Sequence, residues 1–279
     1  MANYRIKIVG AGKVGIAFAW HLQRLGYEIC DISDRQLEKT RFAWKLLYTA
    51  HRRQPTAKSR QPDVVFLTVP DSGIEKEFKR LKGELAPGTI VVHCSGVYGA
   101  EVFKSRVGSC ECGIETLALH PVRSFFSIEQ AIADLPGSFF ALDGTKKGLH
   151  FGKEIVRRLG GKWVIVSGKD RPLYHVMCVF ASNFLNALFE TSERIGKEIG
   201  ISERKVRELL LPLTDGVIKN IREKGPVVTL TGPISRGDKR TVELHIKTLR
   251  RRLPELVSLY KELTYHLERM YGKVKSQNS

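Results

Sequence analysis

Two short segments gather polar side chains where an apolar strand should end: His93-Cys94-Ser95-Gly96 after Ile90-Val91-Val92, and His120-Pro121-Val122-Arg123-Ser124 after Ala118-Leu119. An imidazole with an ordinary pKa can give or take a proton near neutral pH. Reducing a carbonyl or imine, or oxidising an alcohol, needs such a group beside the atom that changes charge. His120 is the leading catalytic candidate on this ground, with Ser95 as a hydrogen-bond donor to substrate or to a nicotinamide amide. A His before Pro is also a common turn residue, and His93, inside an apolar run, reads as a satisfied core group. Arg123 could clamp a substrate carboxylate in bidentate fashion or simply lie on the surface. In Tyr174–Asn186, His175, Ser182 and Asn186 recur at intervals of seven and four, with Asn183 beside them. They form a polar strip on an apolar helix that either meets substrate or fastens the helix to its neighbours. His175 and Asn183 join the catalytic candidates and Ser182 the substrate contacts. In Thr231–Asp238, Arg236 is a candidate anion contact and Asp238 the N-cap of the following helix.

Hydride chemistry needs a carrier, and Gly10-Ala11-Gly12-Lys13-Val14-Gly15 is a candidate cradle for one. It follows the apolar strand Arg5–Val9 and opens a helix, the context that gives Gly-x-Gly-x-x-Gly its meaning. Gly10 permits the tight turn, Gly12 leaves room for a pyrophosphate, and Gly15 lets the helix pack closely on the strand. The free N–H groups and the dipole of the helix then favour the anion. Asp34 falls 24 residues after Gly10, where an acid meets the adenosine ribose of NAD, while adjacent Arg35 could stack on adenine or pair with the 2′-phosphate of NADP. Both cofactors stay open. Val69 and Pro70, ending the third strand, line the same crevice or merely close a buried strand. A glycine turn in such a domain can also bind something else.

These residues need a sheet to carry them. Short runs rich in Val and Ile alternate with amphipathic stretches from Arg5 to about Ser167, the form of a βαβ series. Strands are expected at Arg5–Val9, Glu28–Ile32, Val64–Val69, Thr89–Cys94, Ile114–Leu119, Ser138–Leu142 and Lys162–Val166, with helices near Val14–Leu25, Asp34–Tyr48, Gly73–Leu81 and Lys146–Leu159. After Gly168 only helical spacing continues: Asp170–Ile199, Glu203–Lys224, Asp238–Leu253 and Pro254–Val274. The expected architecture is an α/β Rossmann doubly wound parallel sheet followed by an all-α C-terminal domain. Residues 1–168 would bind NAD(P), and residues 169–279 would shape the substrate site and form a homodimer.

Composition narrows the classes. The chain has 279 residues, 42% of them hydrophobic, enough for two domains with a core. The apolar runs singled out here are of strand length, and the N-terminus enters a strand without an apolar leader, so a soluble cytoplasmic protein away from membranes is expected. Five scattered cysteines argue for reduced thiols; Cys110-Glu111-Cys112 alone is a weak metal signal, and no metal is expected. A net charge of +17 and a pI near 9.8 come without any nucleic-acid-binding motif, so the basic runs at Arg204–Arg207 and Lys247–Arg252 read as solvated faces and no nucleic acid is expected.

The chain also resembles a known family in Val65-Phe66-Leu67-Thr68-Val69-Pro70-Asp71, Val92-His93-Cys94-Ser95-Gly96, Leu119-His120-Pro121, Tyr174-His175 with Phe180-Ala181-Ser182-Asn183, and Leu230 to Asp238. It is similar to Rossmann-like proteins that carry a helical C-terminal domain of unknown function (DUF2520), relatives of pyrroline-carboxylate reductases, ketopantoate reductases and prephenate dehydrogenases. The resemblance implies a helical domain like that of 6-phosphogluconate dehydrogenase, frequent dimerisation, and NAD(P)-dependent hydride transfer to or from a small, anionic carbonyl, imine or alcohol substrate. In prephenate dehydrogenases a Ser after one strand and a His of a His-Pro pair after the next contact substrate; Ser95 and His120 match by order and position. The helical domain departs from those enzymes, and the Lys-x-x-Asn pattern of hydroxyacid dehydrogenases is missing. A non-catalytic dinucleotide-binding or sensing protein is the rival reading.

Overall fold

The computed structural model describes residues 4–48, 61–103 and 113–277. The Cys110-Glu111-Cys112 segment lies outside them. The chain divides into two compact units, Met1–Ser182 and Asn183–Ser279.

Seven strands make one sheet in the first unit: β1 (Arg5–Val9), β2 (Glu28–Ser33), β3 (Val64–Leu67), β4 (Ile90–His93), β5 (Glu115–Pro121), β6 (Phe139–Gly144) and β7 (Lys162–Ile165), in the order β2-β1-β3-β4-β5-β6-β7. β3 and β4 are buried along their whole length, as strands covered on both faces must be. One face carries Ile6, Ile8, Phe66 and Val92, packed against Phe18, Phe140 and Phe151; the other carries Val65, Leu67 and Val91 against Phe78 and Phe103. The helices of this unit are α1 (Lys13–Arg24), α2 (Leu37–Tyr48), α3 (Ile74–Leu81), α4 (Ile128–Asp134), α5 (Lys146–Arg158) and α6 (Arg171–Ala181).

All neighbouring strands run parallel except β5 and β6, so in the expected all-parallel sheet the last two strands, β6 and β7, run opposite to the other five. The cause lies in the connection. α4 packs against α1 rather than crossing the sheet, and the chain re-enters beside β5 from the same edge. A parallel return would need a crossover over the sheet face. β5 also extends two residues further than the sequence suggests: His120 and Pro121 pair with Ala141 and Phe140 of β6. They belong to the strand instead of following it.

The expected single helix over Asp170–Ile199 is two. Ser182 leaves the helical region at φ −129°, ψ −70°, and its hydroxyl donates to the Cys178 carbonyl one turn back, a local bond that competes with the helical ladder. The second unit then holds α7 (Asn183–Glu198), α8 (Glu203–Lys224), α9 (Lys239–Arg252) and α10 (Val257–Gln277). α6 stays with the sheet, so the units divide fourteen residues beyond the boundary drawn from the sequence. Gly168–Glu198, spanning α6 and α7, is long and apolar enough by length and composition to cross a membrane; it exceeds the strand-length runs noted in the sequence. Within the second unit only Gly196, Val206, Leu256 and Thr264 are buried among the described side chains.

Candidate active site

The parallel register aligns Val9, Ser33, Leu67, His93 and Ala118 along the carboxyl edge of the sheet. The glycine turn and Asp34, Thr68, Ser95 and His120 all come just beyond that row. β1 lies between β2 and β3, so the chain leaves β1 at the topological switch point, where open α/β sheets bind ligands.

Gly10 has φ +107°, and a Cβ there would stand 2.6 Å from the Thr68 carbonyl oxygen. Only glycine fits that turn. At Gly15 a Cβ would come 2.1 Å from the Gly10 carbonyl oxygen, which is the close helix–strand approach expected of the third glycine. Gly12 differs, because a Cβ there would meet nothing within 4 Å. The space over Gly12 is vacant of protein, and α1 begins there with no side-chain cap and no acid in its first turn. The orphan N–H groups that open a helix are thereby left for a ligand. A crevice of about 580 Å³ adjoins the turn, lined by Ala11, Gly12, Lys39, Phe42, Ser127 and Ile128 among others. These residues fit a dinucleotide pyrophosphate. A second cavity, of about 690 Å³, lies at the start of α5 among Lys146, Lys147, His150 and Lys153. It opens at the opposite, amino edge of β5, away from the polar strand ends.

Other side chains named from the sequence are engaged by the fold. Asp34 accepts the Ala11 N–H at 2.9 Å on one oxygen and the Gln36 N–H at 2.9 Å on the other. Arg35 is exposed and rests one nitrogen 3.5 Å from Glu77 of α3. The Lys13 ammonium donates to the Phe125 carbonyl. Val14 is half-buried at the start of α1; Val69 is half-buried and Pro70 exposed just past β3, which ends at Leu67, two residues early. Thr68, not singled out from the sequence, donates its hydroxyl to the Gly10 carbonyl at 2.7 Å and so ties the turn to the third strand.

The chemistry-bearing groups converge around Gly96. The Ser95 hydroxyl oxygen accepts the N–H groups of Val97 and Tyr98, leaving its proton to donate. His93 is fully buried; its Nδ1 accepts the Ser95 N–H and its Nε2 bonds the Gly99 carbonyl, so it is the satisfied core group expected. Burial above all lowers its pKa to about 4. His120 Nδ1 lies 2.7 Å from the Tyr174 hydroxyl, and a Cβ on Gly96 would fall 3.0 Å from His120 Nε2 and 2.6 Å from the His175 ring. His120, Tyr174, His175 and Gly96 are thus one cluster. Burial pushes His120 down to about 4, with the charges of Arg171 and His175 adding to it. The expected imidazole titrating near neutrality is therefore an uncharged one at pH 7.

Beneath the cluster sits Arg171, fully buried and unnoticed in the sequence. Its guanidinium donates to the carbonyls of Ser95, Ala118 and Ala141 at 3.0–3.3 Å, its Nε has no partner, and it makes no ion pair among the described residues. Arg123, by contrast, is exposed and donates to Ser138. Ser182 closes α6. Asn183 and Arg236 belong to the second unit, where Arg236 ends a short 3-10 turn and Asp238 caps α9 by accepting the Thr241 N–H.

Family models for a Rossmann-like domain and for a domain of unknown function (DUF2520) match residues 1–121 and 138–267. The chain is a Rossmann-like/DUF2520 protein. Protein TM1727 of Thermotoga maritima aligns with this Rossmann-like/DUF2520 protein at 27% identity and a TM-score of 0.74, over 97% of this chain and 99% of that one. Protein BF3122 of Bacteroides fragilis, described as a candidate NADP oxidoreductase, aligns at 21% identity and 0.71, over 96% and 98%. A pyrroline carboxylate reductase of Plasmodium falciparum with NADP bound aligns at 13% identity and 0.56, over 96% and 99%. The last two agree with this chain in fold. No curated protein matches it by sequence.

Proposed function

We propose that this Rossmann-like/DUF2520 protein is an NAD(P)-dependent oxidoreductase moving a hydride between nicotinamide and the carbon of a small, anionic carbonyl, imine or alcohol substrate. One observation carries the reading: an uncapped, sterically vacant glycine turn at the sheet's switch point shares the carboxyl edge of the sheet with the imidazole of His120. The bound nicotinamide would supply or accept the hydride. The residues of this chain would do the rest. The N–H groups opening α1 hold the pyrophosphate; Ser95 offers its proton to the carboxamide or the substrate; and His120 meets the substrate heteroatom whose charge changes as the carbon gains or loses hydride. At the adenosine end we favour NADP, because both Asp34 oxygens already accept backbone N–H groups whereas exposed Arg35 and Lys39 offer positive charge to a 2′-phosphate.

The helical unit we assign to dimer formation. Leu209, Leu213, Val217, Ile218 and Leu244 are among its exposed apolar side chains, and a unit that buries so few residues gains a core only by covering them with another surface.

Titration with NADPH and NADH tests the cofactor. Saturable binding is expected, tighter for NADPH, and Gly12→Ala should weaken it at least tenfold while leaving thermal stability unchanged, since the added Cβ meets no protein atom within 4 Å. Binding of neither dinucleotide would remove the proposal. NADPH consumption against a panel of keto acids, aldehydes and cyclic imines, with His120→Asn as control, separates an enzyme from a binding protein.

A further inference from the structure

The Tyr174 hydroxyl has two neighbours, His120 Nδ1 at 2.7 Å and the Cys178 thiol one turn on. A phenol donates better than it accepts, a thiol is a poor acceptor, and an imidazole nitrogen is a good one. The phenolic proton therefore goes to Nδ1. An uncharged imidazole that accepts at Nδ1 must carry its proton on Nε2. That atom has no partner among the described residues, and Gly96 puts no side chain in front of it.

The charge state follows from what surrounds the ring. From α6 it faces Tyr174, His175 and Arg171, and from β4 His93; beyond Arg171 lie Cys94, Asp143 of β6 and Glu101. The nearest permanent charge in this set is the Arg171 cation, held by three backbone carbonyls and by no carboxylate. A proton added to His120 would be a second buried cation beside the first.

We propose that Tyr174 and Arg171 are positioning residues that lock His120 as an uncharged imidazole with its Nε2–H facing the side-chain-free Gly96. Tyr174 fixes the tautomer, and the Arg171 cation adds to burial in disfavouring the imidazolium. His120 then serves as a fixed hydrogen-bond donor to the substrate atom that gains negative charge, the role a neutral imidazole plays where a helix dipole lowers its pKa. The inference rests on the oxidoreductase reading for its purpose. Its physical content holds without any dinucleotide.

The test is a long-range proton–nitrogen correlation spectrum of the full chain labelled with 15N-histidine, recorded ligand-free across pH 7.5 to 4.5, with His120 assigned by His120→Asn. The wild type should show Nε2 protonated, Nδ1 bare, and no titration above pH 5. Tyr174→Phe should mix the two tautomers. Arg171→Met should raise the titration midpoint by one unit or more, whereas Arg171→Lys, which keeps the charge, should leave it low. A proton on Nδ1 in the wild type, a wild-type midpoint near 6.5, or a spectrum indifferent to Tyr174→Phe overturns the proposal. If Arg171→Met fails to fold, the Arg171→Lys and Tyr174→Phe spectra still decide. Dinucleotide titrations of the same samples keep the outcomes apart: a locked His120 in a protein that binds no dinucleotide rejects the function and retains the lock.

Discussion

At the scale of single residues, the two buried imidazoles make a prediction about acid. His93 sits at about 4 in the folded protein against 6.5 in an open chain, so between those values the unfolded state binds the proton and the folded state does not. Stability then rises with pH through this window and is lost as pH falls through it, by about 2 kcal/mol for His93 alone at pH 5. Urea midpoints at pH 7 and pH 5 should differ accordingly, and His93→Gln should shrink the difference; equal midpoints would contradict the buried, neutral state. The same scale shows what the sequence made legible. Gly10 and Gly15 could be read directly because each meets a backbone constraint that the motif itself encodes, and Gly12 because the motif keeps that position open for a ligand. Arg171 could not, since an arginine opening a helix looks like any surface arginine until three backbone carbonyls are seen converging on it. Tyr174 was visible only as part of a motif, because its role comes from a partner 54 residues away.

At the scale of elements, all seven strands could be placed from their Val and Ile runs, and their ends moved by one or two residues only. What escaped was α4, a single short helix whose signature was nonetheless present: the Ser127 hydroxyl accepts the Gln130 N–H, a Ser-x-x-Gln start of the kind that opens many helices. The direction of β6 was not legible at all, since strand composition carries no sign of which way a neighbour runs. Nor was the break at Ser182, where helical spacing continues on both sides. Between α7 and α8 the fit is close enough to test, as a Cβ on Gly196 would lie 2.2 Å from Val206 Cγ2. Gly196→Ala should cost about 1–3 kcal/mol despite alanine's better helix propensity. A lowered melting temperature restored in part by Val206→Ala would locate the cost in that contact, and an unchanged one would exclude it.

At the scale of the whole molecule, the small number of buried side chains among the described residues of the helical unit predicts association. Sedimentation should find a dimer at micromolar concentration, and Leu213→Asp combined with Ile218→Asp should yield monomer or unfolded chain; a wild type that stays monomeric at high concentration would dismiss the assignment. Charge bears on the same experiment, because +17 per chain opposes self-association at low salt, so the dimer should tighten as salt is added. One feature of the first unit reaches further. Because β6 turns back, the stretch from Val122 to Ser127 rides over the carboxyl edge: Phe125 takes the Lys13 ammonium on its carbonyl, Ser127 lines the crevice, and Phe126 is left 88% exposed. A wall of the ligand crevice is therefore a short connection outside the sheet. Descendants of this fold could change what they accept by lengthening or rewording those six residues, while the strands that hold His120 stay as they are.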